Sequence, residues 1–124
     1  MTVSFKKAQR LHNAGQYAEA HELYVKAIEE NPHDAEALYL LGSLLAQQGR
    51  FKKGLNFLRR AVTENPRNST YHCNIGVVQQ NLKLLDQALD SFRMAIKFDR
   101  HNADAYYNLG CLLQEKGELE ESIH

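Results

Sequence analysis

The sequence is short of most features that carry chemistry on their own. It has no tryptophan and two cysteines, and its formal net charge is zero at a pI of about 7.0. Zero net charge gives no electrostatic case for nucleic acid or a membrane surface as partner. Two cysteines, Cys73 and Cys111, cannot form the disulfide framework of a small secreted domain, and reduced thiols fit a cytoplasmic protein. No apolar run approaches the length of a membrane span. No apolar core follows Lys6 and Lys7, so the opening MTVSFKKAQRLHNAG does not read as a signal peptide. There is no GxGxxG, no Walker loop and no nucleophile elbow. The six histidines and two cysteines show no metal-ligand spacing. No catalytic residue, metal or cofactor is expected in this chain, although a catalytic domain could lie downstream.

What the chain has is a period. Gly42, Gly76 and Gly110 are spaced by thirty-four residues, and so are Ala27, Ala61 and Ala95 and the pair Pro32 and Pro66. Four copies run in one register: 1–34, 35–68, 69–102 and a truncated 103–124. A fixed period of this length marks stacked supersecondary units. The hydrophobic content of 44% is enough for a packed core. Residues 1–68 hold ten Lys/Arg and seven Asp/Glu, a net +3, while residues 69–124 hold five and eight, a net −3. This reads as surface scatter or as a polarised rod that stacks head to tail.

Apolar and small residues recur at helical spacing within each copy, which predicts two helices per unit. In the third copy these are expected over Ser69 to Leu82 and Asp86 to Phe98. A glycine within a helix costs about 1 kcal/mol against alanine. The glycine slot faces a small partner twelve residues on: Ala8 with Ala20, Gly42 with Gly54, Gly76 with Ala88, Gly110 with Ser122. That pattern predicts a close crossing of the paired helices, with Tyr24, Leu58 and Phe92 filling the space beside it. Asp34, Asn68 and Asn102 are placed as N-caps, and Gly15, Gly49 and Gly117 as left-handed residues after a helix. Lys83 takes that slot in the third copy, where it either adopts a positive φ or the helix ends differently. Arg100 replaces the proline of Pro32 and Pro66.

With Leu41-Gly42, Ile75-Gly76 and Leu109-Gly110, and the large, Ala, aromatic, Ala, Pro slots that follow, the units resemble tetratricopeptide repeats. The resemblance covers essentially residues 1–124, read as one array. It implies an all-α fold, a right-handed α-solenoid of antiparallel helix hairpins whose first helices line a concave groove. It also implies binding of a protein or peptide partner and no catalysis. The opening AQRLHNAGQYAEAHELY further resembles the arrays that precede O-linked N-acetylglucosamine transferase or SPINDLY-like catalytic domains.

The groove slots that bear on binding are Phe5, Gln9, Tyr39, Ser43, Asn74, Val77, Tyr107 and Asn108. Chaperone-binding members of the family grip a C-terminal carboxylate with a Lys, Asn and Arg clamp. Its slots here hold Phe5, Gln9, Leu40, Thr70 and Asn74, with no cation among them, so the clamp is absent. Other members use a ladder of asparagines on the partner's backbone, a role for which a carboxamide offers both donor and acceptor. Asn74 and Asn108 occupy that slot; Lys6 and Leu40 do not. The pair is either half a ladder or repeat inheritance without a ligand.

Arg50, Lys52, Lys53, Arg59 and Arg60 form a basic cluster read as a solvated convex face. Ser4 and Lys7 make the first copy partly polar, as a terminal repeat is expected to be, so Met1 reads as the start of the array. The fourth copy stops at His124, about one turn into its second helix. Tyr106, Leu109, Leu113, Leu119 and Ile123 are then incompletely covered, residues 118–124 are expected to fray, and self-association is open to the chain. Three functions follow: a peptide-binding interaction module, the recognition array of a larger glycosyltransferase, or a self-assembling scaffold.

Overall fold

The computed structural model describes residues 3–123, with side chains described for residues 5–121. Among these residues the chain is all helix: α1 (Val3–Asn13), α2 (Tyr17–Glu30), α3 (Ala35–Gln47), α4 (Phe51–Glu64), α5 (Ser69–Asn81), α6 (Leu85–Phe98) and α7 (Ala103–Ile123). They fall into two compact units, residues 1–66 and 67–124.

The first unit contains two hairpins, α1 with α2 and α3 with α4. Asp34 caps α3 by accepting from the Ala37 N–H at 3.1 Å. Gly15 and Gly49 end α1 and α3 with φ of +81° and +79°, the left-handed geometry that glycine adopts without a Cβ penalty. The core holds Phe5, Tyr24, Leu38, Leu41, Leu44, Leu45 and Leu58, all essentially inaccessible. The crossing of α3 and α4 is as close as the paired glycines imply. A Cβ on Gly42 would lie 2.9 Å from the Gly54 carbonyl oxygen, and one on Gly54 would lie 2.8 Å from that of Gly42.

In the second unit α5 and α6 form the hairpin and α7 packs on it. The core comprises Cys73, Ala88, Phe92, Ala95, Ala105 and Leu112. As at Gly42, where a Cβ would also lie 2.8 Å from Leu58 Cγ, the nearest neighbour of the glycine is the large residue beside the crossing. A Cβ on Gly76 would meet the Phe92 ring at 2.6 Å, so the glycine makes room for that ring. Asn68 caps α5 through the Tyr71 N–H and Asn102 caps α7 through the Ala105 N–H, each at 3.0 Å. Ser69 Oγ donates to the Ala95 carbonyl and accepts from Asn102 Nδ2, which ties the ends of all three helices. Lys83 takes the strained alternative, at φ +63°. The loss of proline at Arg100 is offset locally. Asp99 Oδ1 accepts from the His101 N–H at 2.9 Å, the same turn that Asn31 and His33 make beside Pro32.

The fourth copy departs from the pattern. Gly117 ends no helix: α7 runs unbroken for 21 residues, and a Cβ on Gly110 or Gly117 would meet nothing within 4 Å. The expected crossing of Gly110 with a second helix therefore does not form, and residues 118–123 continue α7 instead of starting a new helix. The side chains of Ser4, Ser122 and Ile123, and the whole of His124, lie outside the described residues. A turn at Gly117 would break helical hydrogen bonds, which is unfavourable unless a following helix packs back against α7. Lys83 pairs with Glu115 at 2.7 Å and Lys116 with Asp86, holding this part of α7 to the hairpin. Lys116 accordingly lowers the Asp86 pKa, and the hydrogen bonds from Lys83 and Gln80 lower that of Glu115. Gly117→Ala is then expected to raise stability by up to about 1 kcal/mol through helix propensity. A thermal melt reads the sign; destabilisation would mean that Gly117 is a left-handed cap after all.

Candidate functional site

The first-helix faces of each unit hold the residues that the repeat pattern singles out for binding. In the first unit Phe5 is not available. It is fully buried and meets the Tyr24 ring edge-on, with centroids 6.4 Å apart. It belongs to the core because α1 turns its apolar stripe toward α2. Gln9, Tyr39 and Ser43 are half-buried, and Ser43 Oγ is enclosed with no hydrogen-bond partner. Between α1 and α3 lies a bridge: His12 Nε2 is 2.9 Å from Gln47 Oε1, and His12 Nδ1 is 2.9 Å from the Tyr24 hydroxyl. Helical spacing puts Gln9 and His12 on one face of α1. The bridge across to Gln47 needed the tertiary structure.

In the second unit α5 and α7 bring their residues together. Asn108 Nδ2 is 3.7 Å from Cys73 Sγ, a long contact between a carboxamide and a buried thiol. Burial pushes the Cys73 thiol pKa up, against the smaller lowering effect of Asn108, so Cys73 is a neutral packing group. Val77 packs on the core, Asn74 is half-buried, and Tyr107 is 73% exposed. The Tyr107 pKa is raised, chiefly by its hydrogen bond with exposed Cys111. A surface with an exposed aromatic, a carboxamide oxygen and apolar flanks offers hydrogen bonds and contact area without formal charge. Both thiols are free. Among the described residues no group of three or more His, Cys, Asp or Glu is arranged to hold a metal, and no helix is long and apolar enough to cross a membrane.

Sequence reasoning missed one feature. Arg50, Lys53 and Arg60 do not simply face solvent; they line a cavity of about 440 Å³ together with Val25, Leu45 and Phe57. The available signal was the spacing of Lys53, Phe57 and Arg60 at i, i+4 and i+7, one face of α4.

Paired antiparallel helices, recurring on a thirty-four-residue period with small residues at their crossing, define a helix-hairpin repeat protein. A family model described as tetratricopeptide repeat matches residues 11–72, half of the chain, and another described as TPR repeat matches residues 85–117. The chain belongs to the tetratricopeptide repeat family. No curated protein matches it in sequence. Among solved structures, the first TPR of Spaghetti (RPAP3) bound to an HSP90 peptide superposes with a TM-score of 0.90 at 19% identity, covering 93% of this chain and 91% of that one. MamA gives 0.84 at 23% identity, over 99% of this chain and 70% of that one. The O-GlcNAc transferase of Thermobaculum terrenum gives 0.83 at 24%, over 89% of this chain but 21% of its own length. These are likenesses of fold.

Proposed function

We propose that the chain is a non-catalytic protein-interaction module, one array over residues 1–124, that binds an extended segment of a partner protein along its first-helix faces. The observation that carries this reading is the α5–α7 face. There Asn108 directs its N–H group toward Cys73, which leaves Oδ1 as an acceptor, and the adjacent residue along the helix, Tyr107, is exposed. A carboxamide oxygen takes a backbone N–H whatever the partner's side chain, and an aromatic ring supplies contact area at low entropic cost. The fold-level likeness to a repeat bound to an HSP90 peptide supports peptide binding as a mode. It does not carry over the carboxylate clamp. The clamp slots hold no cation, and Phe5 in one of them is closed inside the core. Selection from a displayed random-peptide library supplies the probe. Selected peptides are expected to bind the Asn74→Ala/Asn108→Ala chain roughly tenfold more weakly, with little change between low and moderate salt. A peptide ending in the HSP90 tail is expected not to bind. Equal affinity for both chains, or a steep loss with salt, contradicts the proposal.

The recognition array of a larger glycosyltransferase is the same binding reading placed in a longer protein, and the likeness to the Thermobaculum terrenum enzyme is its support. Self-association is a second reading that a specific observation favours. On α7, Tyr106 and Leu113 are each 49% exposed on one helix face, beside a Gly110 with open space above it. This face is centred about 100° around the helix from Tyr107.

A further inference from the structure

We infer that the cavity framed by α2 and α4 receives the acidic end of α7 from a second copy of the chain. This rests on the self-association reading and adds the receiving surface to it. The cavity of about 440 Å³ has an apolar wall of Val25, Leu45 and Phe57 and a cationic one of Arg50, Lys53 and Arg60. It adjoins a second hollow of about 290 Å³ that shares Val25, Phe57 and Arg60. Among the residues lining the two, Glu29 is the single carboxylate. The Arg60 guanidinium sits 5.4 Å from the centre of the Phe57 ring, which keeps the apolar and cationic walls in contact.

Such a hollow suits an occupant that is apolar and anionic at once. A simple anion would leave the apolar wall in water, and a neutral apolar group would leave three cations without a counter-charge. The far part of α7 has the required chemistry. Tyr106, Gly110, Leu113 and Gly117 follow one face at helical spacing, and Glu120 and Glu121, both exposed, lie at the end of that face. The two glycines let a partner surface approach the helix closely, and a Cβ at either would meet nothing within 4 Å in this chain. At longer range the positive half of one copy attracts the negative half of another, +3 against −3. The contact joins two different surfaces, so it is head-to-tail and can propagate.

Two variants test the pairing. Arg50→Glu/Lys53→Glu puts acids at the N-terminus of α4, and Glu120→Lys/Glu121→Lys puts bases at the C-terminal end of α7. The helix dipole favours both changes, and all four side chains are exposed. Folding is therefore expected to survive, with thermal melts as the check. In sedimentation velocity at low salt the wild-type chain is expected to grow in mass with concentration, and each variant to associate at least about tenfold more weakly. Mixing the two variants is expected to restore association that neither shows alone, because the acidic α7 end of one fits the unchanged cavity of the other and the two reversed surfaces also attract. The chain carrying all four substitutions is expected to associate with itself again. Wild-type association that neither variant weakens would place self-association elsewhere and overturn the cavity assignment alone. A strictly monomeric wild type would overturn both readings, and failure of the mixed variants to associate would overturn the pairing.

Discussion

Gly76→Leu is expected to abolish the native packing of α5 against α6. Even a lone Cβ at this position would sit 2.6 Å from Cε1 and 2.7 Å from Cδ1 of Phe92. Phe92 cannot withdraw, because its ring is fully buried among Ala88, Ala95 and Leu112. A branched side chain must then push the two helices apart or drive Phe92 out of the core. Overpacking of this kind typically costs about 1–3 kcal/mol and can cost more. Expelling a buried phenylalanine costs roughly 3–5 kcal/mol. Native domains are only marginally stable, so either cost is a large fraction of the total. Hydrogen exchange is expected to show protection lost throughout α5 and α6, and Phe92→Leu in the Gly76→Ala background is expected to recover part of the loss. An unchanged melting temperature for Gly76→Leu would show that the ring does not lie over the glycine.

The second large effect is expected at Tyr24, the largest fully buried side chain of the first unit. Its ring meets Phe5 and His12 edge-on, and its hydroxyl lies 2.9 Å from His12 Nδ1. Tyr24→Ala is expected to cost roughly 3–5 kcal/mol, the range for deleting a buried aromatic ring. Tyr24→Phe separates the hydroxyl from the ring. It keeps the packing and removes one hydrogen bond, with an expected cost of about 1 kcal/mol. His12 still meets Gln47 through its other nitrogen, so α1 is expected to stay docked. Burial, with a smaller contribution from the charge of Glu36, pushes the Tyr24 pKa up to about 12. A spectroscopic titration of the wild type is expected to show a late tyrosine that disappears in Tyr24→Phe. A Tyr24→Ala chain with wild-type stability would remove this residue from the core.

Most of the hairpin architecture was legible in the period. A repeated register constrains many slots at once, and local chemistry is read directly from residue type. The caps at Asp34, Asn68 and Asn102 appear as expected because a short polar side chain before an apolar helix has one good use. The failure at Gly117 has the same root. The register treats Gly117 as another Gly49, but a cap residue ends a helix only where the following helix repays the turn by packing. The candidate binding face was legible in part. The spacing that places Tyr107 on the surface of α7 does not distinguish Phe5 as a core residue, because burial depends on what the partner helix puts opposite.

The sequence by itself determined the period, the paired helices, the small residues at their crossings and the opposite charges of the two halves. All of these are local or periodic properties, carried by residue type and spacing. Only the tertiary structure decided that Gly76 makes room for the Phe92 ring, that His12 joins Tyr24 to Gln47, and that Arg50, Lys53 and Arg60 border a cavity rather than a plain solvated face. Each depends on which atoms of distant segments come within a few ångströms, and packing sets that distance side chain by side chain, below the resolution of any repeat pattern.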